Sequence, residues 1–267
     1  MADPGRLSLN TITVREQWSL AQCIEGCARH GIPAIGPWRD KLAEMGLAAA
    51  ARQIRDAGLK VSGLCRGGMF HLPDAIEDNR RAIDEAAAIG APCLVMVCGG
   101  LPAGSKDLAG ARRRVEDGVA EILPQARAAG VTIALEPLHP MTCADRSVLS
   151  TTAQALAMAE RLGEGVGLAL DVYHIWWDPD LADSVQRAAG RIAAFHVCDW
   201  LVPTQDLVLD RGMMGDGVID VPGIRALMEA AGYDGLIEVE IMSARDWWGR
   251  DPDEVLQVVK ERFAGAS

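Results

Sequence analysis

No stretch of the 267-residue sequence approaches the roughly 18 apolar residues in a row that a bilayer-spanning helix needs. The opening MADPGRLSLN lacks the basic start and apolar run of a secretory signal. Positive charge is short as well: 26 Lys and Arg stand against 37 Asp and Glu, a formal net charge of −11. A chain this acidic repels phosphate backbones and anionic lipid, so no nucleic acid and no membrane is expected as a partner. No linker, low-complexity tract or shift in composition divides residues 1–267, and a single domain is expected. Phe and Tyr are sparse, at three and two, whereas Trp reaches seven. Seven cysteines, an odd number spread through apparent strands and helices, read as reduced, buried thiols of a cytoplasmic protein. Cys23 and Cys27, four apart on an expected helix, could supply half a metal site. No second pair lies near them, so plain packing is the expectation.

What is present is alternation. Short apolar runs at Leu7–Ile12, Ala34–Gly36, Val61–Cys65, Cys93–Val97, Thr132–Glu136, Gly167–Asp171, Ile192–His196 and Leu236–Glu240 read as strands. Between them lie Ala-, Leu-, Glu- and Arg-rich helical stretches such as Asp78–Ile89, Ala111–Ala129 and Ala153–Leu162. In the second, Val115, Val119, Ile122 and Leu123 recur at helical spacing, with Arg112–Arg114 on the wet side. Gly31, Gly58, Gly90, Gly130 and Gly232 stand where helices should stop before the next strand. Eight such units in 267 residues fit a single (β/α)8 barrel, an α/β fold of this usual size. An open doubly wound sheet would put a glycine-rich phosphate loop after the first strand, where the sequence is Asn10-Thr-Ile-Thr-Val-Arg15.

Barrel chemistry sits at the C-terminal ends of the strands. The last four strands end in Glu136, Asp171, His196 and Glu240, three carboxylates and an imidazole around one mouth. Without a cation those carboxylates would repel one another and resist desolvation. One divalent ion removes the objection, and an O₃N set suits Mn²⁺, Mg²⁺ or Co²⁺. Two residues earlier, on the same inward face, stand Ala134, Ala169 and Ala194, small enough to leave room beneath an ion. The eighth strand puts Glu238 in that layer, so Glu238 competes with Glu240; Glu240, nearer the mouth, is preferred. Arg66, after the third strand, and His139, three residues after Glu136, are further candidates for contact with a substrate. His71 is a weaker candidate. His30 reads as a partner of a helix C-terminus, and Lys106 with Arg112–Arg114 as a solvated helix start. Trp38, Trp176, Trp177, Trp200, Trp247 and Trp248 all follow strand ends, where one or two would stack on a sugar face.

Glu136-Pro137, Asp171-x-x-His174, His196-x-x-Asp199, Arg211-x-x-x-Gly215-x-Gly217 and Glu240, in this order, resemble the xylose isomerase-like superfamily. The resemblance runs along essentially the whole chain and points to the sugar-phosphate isomerase/epimerase group, with its ketose 3-epimerases and inosose isomerases. It implies that Glu136 and Glu240 bind metal and act as an acid/base pair, that Asp171 and His196 complete the shell, and that His174 and Arg211 hold substrate oxygens. It further implies a keto-sugar or polyol-derived ketone as substrate, Mn²⁺ as the favoured ion, and proton abstraction beside the carbonyl through a metal-stabilised enediolate. A homo-oligomer is possible. Ketose 3-epimerases carry a further Glu where this chain has Thr142, which argues against simple ketohexose epimerisation. The extra ligands of the two-metal xylose isomerases and of endonuclease IV are missing. A lyase acting on 3-oxo-glycosides, like the C-glycoside deglycosidases, and a sugar-binding barrel without catalysis are the alternatives.

Overall fold

The computed structural model describes residues 3–266. Its wall is a parallel sheet of β1 (Leu7–Asn10), β2 (Ala34–Gly36), β3 (Lys60–Val61), β4 (Leu64–Gly68), β5 (Cys93–Val97), β6 (Thr132–Glu136), β7 (Val166–Asp171) and β8 (Ile192–Val197), completed by a strand that comes later in the chain. In the connection after β8, β9 (Asp199–Trp200) and β10 (Arg211–Gly212) form a separate antiparallel pair. The wall is then finished by β11 (Ile237–Val239), which pairs with both β8 and β1.

The two edges of this sheet, β3 and β4, are halves of one chain segment interrupted at Ser62-Gly63. The Cys65 N–H donates to the Pro37 carbonyl at 3.0 Å and Cys65 bridges Trp38, so the β4 edge meets the chain just after β2 and the barrel nearly closes. The sequence suggests one third strand, Val61–Cys65; the structure splits it, because the Ser62 side chain turns inward to a buried carboxylate. The first strand also ends earlier than its apolar run, at Asn10, whose Oδ1 accepts the Ile12 N–H at 2.9 Å and starts a 3-10 turn over Thr11–Val14.

Around the wall lie α1 (Leu20–His30), α2 (Arg39–Met45), α3 (Leu47–Asp56), α4 (Ala75–Ile89), α5 (Leu108–Ala129), α6 (Thr152–Leu162), α7 (Val172–Ile175), α8 (Leu181–Arg187), α9 (Val221–Ala230) and α10 (Pro252–Ala266). The α1 helix starts with a reciprocal cap between Ser19 and Gln22 and stops at Gly31, which is left-handed at φ 67°. In α5 the predicted apolar stripe is buried, while Arg113 and Arg114 face solvent; Arg112 instead donates to the Val148 carbonyl at 3.1 Å. Cys23 and Cys27 lie fully buried in the core, and burial pushes the Cys23 thiol up to about 12, so they pack rather than bind metal. Inside the barrel Ala134, Ala169 and Ala194 form a layer with Cys65, Cys93 and Val95. The layer is made of small side chains, with Trp38 packed against it. No helix among the described residues is long and apolar enough to cross a membrane.

Candidate metal centre

Four strand ends bring the site together. Glu136 is the last residue of β6 and Asp171 the last of β7, where its Oδ1 also accepts the Tyr173 N–H at 2.9 Å and caps α7. His196 lies opposite Asp171 in the β7–β8 register, and Glu240 follows the end of β11. One ligand atom from each of Glu136, Asp171, His196 and Glu240 lies within 4.8 Å of the others, and all four residues are buried. His196 Nδ1 is 3.8 Å from Glu136 Oε1 and 3.6 Å from Glu240 Oε2.

The electrostatics of this cluster are those of charges that need a cation. Glu136 is pushed up to about 8 by burial and then by Glu240 beside it. Asp171 is raised by burial in spite of Arg211. Glu240 suffers the same burial, but His196 and Arg211 outweigh it and hold its carboxyl well below the usual range. Burial alone would lower His196; Glu238, Glu240 and Glu136 overcome it and push the imidazole up to about 10. Both ring nitrogens of His196 are buried without a hydrogen-bond partner. An unpartnered imidazole nitrogen converging with three carboxylates is a donor set that could hold a divalent ion, and the residues fit one.

Around this set stand further groups. Arg211, on β10, donates from Nη1 to Asp171 Oδ2 at 2.8 Å and to Glu240 Oε2 at 3.1 Å, and its guanidinium stacks on the Tyr173 ring. Its loop is pinned by Asp199, whose carboxylate accepts from the N–H groups of Gly215, Gly217 and Ile219 at 2.8–2.9 Å. The backbone of Gly217 passes so close that a Cβ there would meet the Trp200 carbonyl at 2.1 Å. The glycine-bearing loop is therefore anchored, and Arg211 is buried rather than carried on a free cover. His174 Nε2 lies 3.3 Å from Arg211 Nη2, and His174 Nδ1 faces the backbone N–H of His139 at 3.2 Å. Burial and Arg211 keep His174 neutral.

Glu238 points down into the barrel. It accepts from Asn10 Nδ2 at 2.5 Å and from Ser62 Oγ, which also accepts from Ser8 Oγ at 2.8 Å. Gly36 makes room for it, since a Cβ at that position would stand 2.4 Å from the carboxylate. Asn10 Nδ2 also reaches Glu240 Oε1 at 3.1 Å and so ties the two acids together.

The cavity beside the cluster is lined by Glu136, Glu240, His174, Arg211, Arg66 and Arg146, with Trp38 and apolar side chains completing it. Its volume is about 20 Å³, room for little more than one water. Arg66 also borders a wider groove that leads away past Trp38 and Cys65. The His139 ring does not line the cavity; it packs between Trp177 and Trp200 at centroid distances of 5.6 and 5.0 Å. Thr142 turns back to the His139 carbonyl at 2.9 Å. His71 lines a separate groove between α4 and α5, and His30 Nε2 meets Asp253 at 2.6 Å. Among the tryptophans only Trp38 lines the cavity; Trp248, for instance, donates to the Ile12 carbonyl at 2.8 Å. Arg146 and Ser62 escape a reading of strand ends, and Asn10 is hidden inside the longer run Leu7–Ile12 expected there. Arg146 sits in a loop with no motif to mark it.

The sequence model of the xylose isomerase-like TIM barrel matches residues 24–261. The chain belongs to that family. This xylose isomerase-like barrel is 28% identical over 224 residues to L-ribulose-5-phosphate 3-epimerase UlaE of Escherichia coli K12, covering 74% of this chain and 75% of that protein. It superposes on protein SMc04130 of Sinorhizobium meliloti 1021 with a TM-score of 0.97, 56% identity and 99% of each chain covered. The IolI protein, solved with a bound zinc atom, shares the fold at a TM-score of 0.83 and 23% identity, over 96% of this chain and 95% of that one.

Proposed function

We propose that this barrel, acting as a single domain over residues 1–267, isomerises or epimerises a keto-sugar or polyol-derived ketone. The observation that carries the reading is the convergence of Glu136, Asp171, His196 and Glu240 within 4.8 Å, with both nitrogens of His196 unpartnered. These four residues would hold one divalent ion, with Mn²⁺ the first choice for an O₃N set and Mg²⁺ or Co²⁺ as alternatives. The zinc reported for IolI and the epimerase activity named for UlaE support a metal-dependent sugar reaction.

When bound, the ion would polarise a ketone and its neighbouring hydroxyl. The protein's own groups do the rest. Glu136 ends β6 and Glu240 follows β11, on different sides of the cluster, so a ketone between them presents one face to each carboxylate. One removes the proton from the carbon beside the carbonyl. For isomerisation a proton is then delivered to the former carbonyl carbon while the hydroxyl proton passes to the old carbonyl oxygen; for epimerisation the other carboxyl group returns a proton to the original carbon from the opposite face. Neutral His174 and buried Arg211 orient substrate oxygens, and Arg66 closes the cavity from the β4 side. Because the cavity is so small, the arginines or the loop that carries His139 must shift to admit a sugar. The negative net charge agrees with a soluble, cytoplasmic enzyme of small molecules without nucleic-acid or membrane partners, and a homo-oligomer is compatible with it.

The test is a panel of ketoses, inososes and 3-oxo-glucosides in D₂O with Mn²⁺, alongside a chelated control. Deuterium should enter the carbon beside the carbonyl of at least one ketose or inosose, and His196→Ala should abolish both the exchange and the bound ion. Exchange with none of them would remove the isomerase reading. Elimination from the 3-oxo-glucoside alone would replace it with the lyase.

A further inference from the structure

Arg66 and Arg146 line the same cavity as Glu136, Glu240, His174 and Arg211. Both side chains are half-buried, yet neither donates a hydrogen bond or forms an ion pair with any described residue. The other inward arginines of this protein are matched. Arg39 bonds Asp78 and Glu85, Arg211 bonds Asp171 and Glu240, and Arg6 bonds Glu229. Two unmatched guanidiniums at one cavity repel each other and are partly stripped of water, and burial followed by the charge of Arg146 lowers the pKa of Arg66. Such an arrangement is costly for the protein alone and becomes favourable when an anion is shared between the two.

Their backbones are anchored, so both guanidiniums stay at one cavity even when the side chains turn to admit a ligand. Arg66 stands in β4 between Cys65 and Gly67. The Arg146 N–H donates to the Thr142 carbonyl at 2.9 Å, and its own carbonyl accepts the Gly99 N–H at 2.8 Å. Trp38, whose indole Nε1 is buried without a partner, lines the same cavity. In the wider groove that begins at Arg66, the remaining arginines are taken: Arg15 by Asp40 and Arg39 by Asp78. Arg66 and Arg146 are thus the free cations of this mouth among the described residues.

We propose that Arg66 and Arg146 form an oxyanion subsite, and that the substrate carries a carboxylate or phosphate group besides its ketone. The proposal rests on the isomerase reading for the ketone but not for the anion. A guanidinium offers paired N–H donors that match either oxyacid, and two of them bracketing one group select charged over neutral sugars. Glu136 attracts Arg66 across the cavity, yet no carboxylate comes within ion-pair distance of either side chain, and burial and Arg146 outweigh that attraction, so neutralising the cluster leaves both guanidiniums unmatched.

The experiment is calorimetric binding to the metal-loaded protein with matched pairs: ribulose 5-phosphate against ribulose, and 5-keto-D-gluconate against L-sorbose, which differs from it only in carrying CH₂OH in place of the carboxylate. The charged member of at least one pair should bind about tenfold tighter or more, the scale of a charge-assisted hydrogen bond to a guanidinium. Preference within the first pair identifies a phosphate, and within the second a carboxylate. Arg66→Met and Arg146→Met should each remove most of the preference with metal content unchanged. Arg66→Lys and Arg146→Lys, which keep the charge but not the fork, should retain part of it. If the Met variants do not fold, the wild-type pairs and the Lys variants still decide. Equal binding within both pairs, or a preference that survives the substitutions, overturns the subsite. Absence of solvent exchange with every ketone, together with intact charge preference, would remove the isomerase reading and leave the subsite standing.

Discussion

Nε2 of His196 stands 3.8 Å from Oε1 of Glu238, its neighbour in the β8–β11 register. The other nitrogen, Nδ1, faces Glu240 and Glu136. The imidazole therefore lies between a carboxylate below it and the candidate metal ligands above it. At this distance Glu238 acts through its charge, which raises the basicity of the candidate ligand His196.

Glu238→Gln should lower divalent-metal affinity by about 10–100-fold, the usual cost of losing such a partner. Competition with a chelator measures it directly, without any assay of turnover. Unchanged affinity would reduce Glu238 to a packing role beneath the site.

Glu136→Gln and Glu240→Gln keep an oxygen able to bind metal but lose the proton acceptor. Each should retain much of its metal and lose roughly 10² or more in turnover. For a two-base epimerisation, a single variant still exchanges the proton of one face while failing to invert the centre. Wild-type turnover in both would sink the paired-carboxylate mechanism and leave the metal site untouched.

Arg211 pairs with Asp171 and Glu240 in a fully buried setting. Removing one partner of such a pair strands the others, at a cost of about 3–5 kcal/mol. Arg211→Met should therefore destabilise the chelated protein on this scale in denaturant titrations. Added metal should recover part of the loss, because it supplies positive charge to the same carboxylates. A chelated variant as stable as the wild type would mean that the contacts to Asp171 and Glu240 contribute little.

The chelated protein should also lose stability as pH rises. Glu136 holds its proton up to about 8 in the folded chain against an ordinary value of 4.5, and His196 up to about 10 against 6.5. Both bind protons more tightly folded than unfolded, so the unfolded chain gives them up first. Their contributions are present at low pH and decline from 4.5 to about 8 for Glu136 and from 6.5 to about 10 for His196, overlapping between pH 6.5 and 8. Metal displaces these protons, so the saturated protein should show the opposite slope in that window. Thermal melts at pH 6.5 and 8, with chelator and with Mn²⁺, check both signs. A chelated protein more stable at pH 8 contradicts the first.

The barrel was legible because its signals are local. Apolar runs of strand length, amphipathic helices such as α5 and glycine stops such as Gly31 each depend on a few neighbouring residues. Where a distant group intervened, the local reading slipped. The third strand is broken at Ser62-Gly63, where Ser62 serves Glu238 from 176 residues away. Likewise Asn10 ends β1 early, bonding Ile12 through one side-chain atom and both Glu238 and Glu240 through the other.

For the site, the sequence by itself determined which residue types end the last four strands, and with them the family and the candidate O₃N donor set. It could not separate Glu238 from Glu240, because period-two alternation places both on the inward face of one strand. By register Glu238, not Glu240, is level with His196. Only the tertiary structure distinguishes their surroundings, enclosing Glu238 with Asn10, Ser62 and the space left by Gly36, while Glu240 follows the end of β11 toward Arg211. Arg146 was hidden for the same physical reason. A loop side chain has no periodicity to betray its direction, and it enters the site only because the Thr142 and Gly99 backbones hold its segment against the mouth.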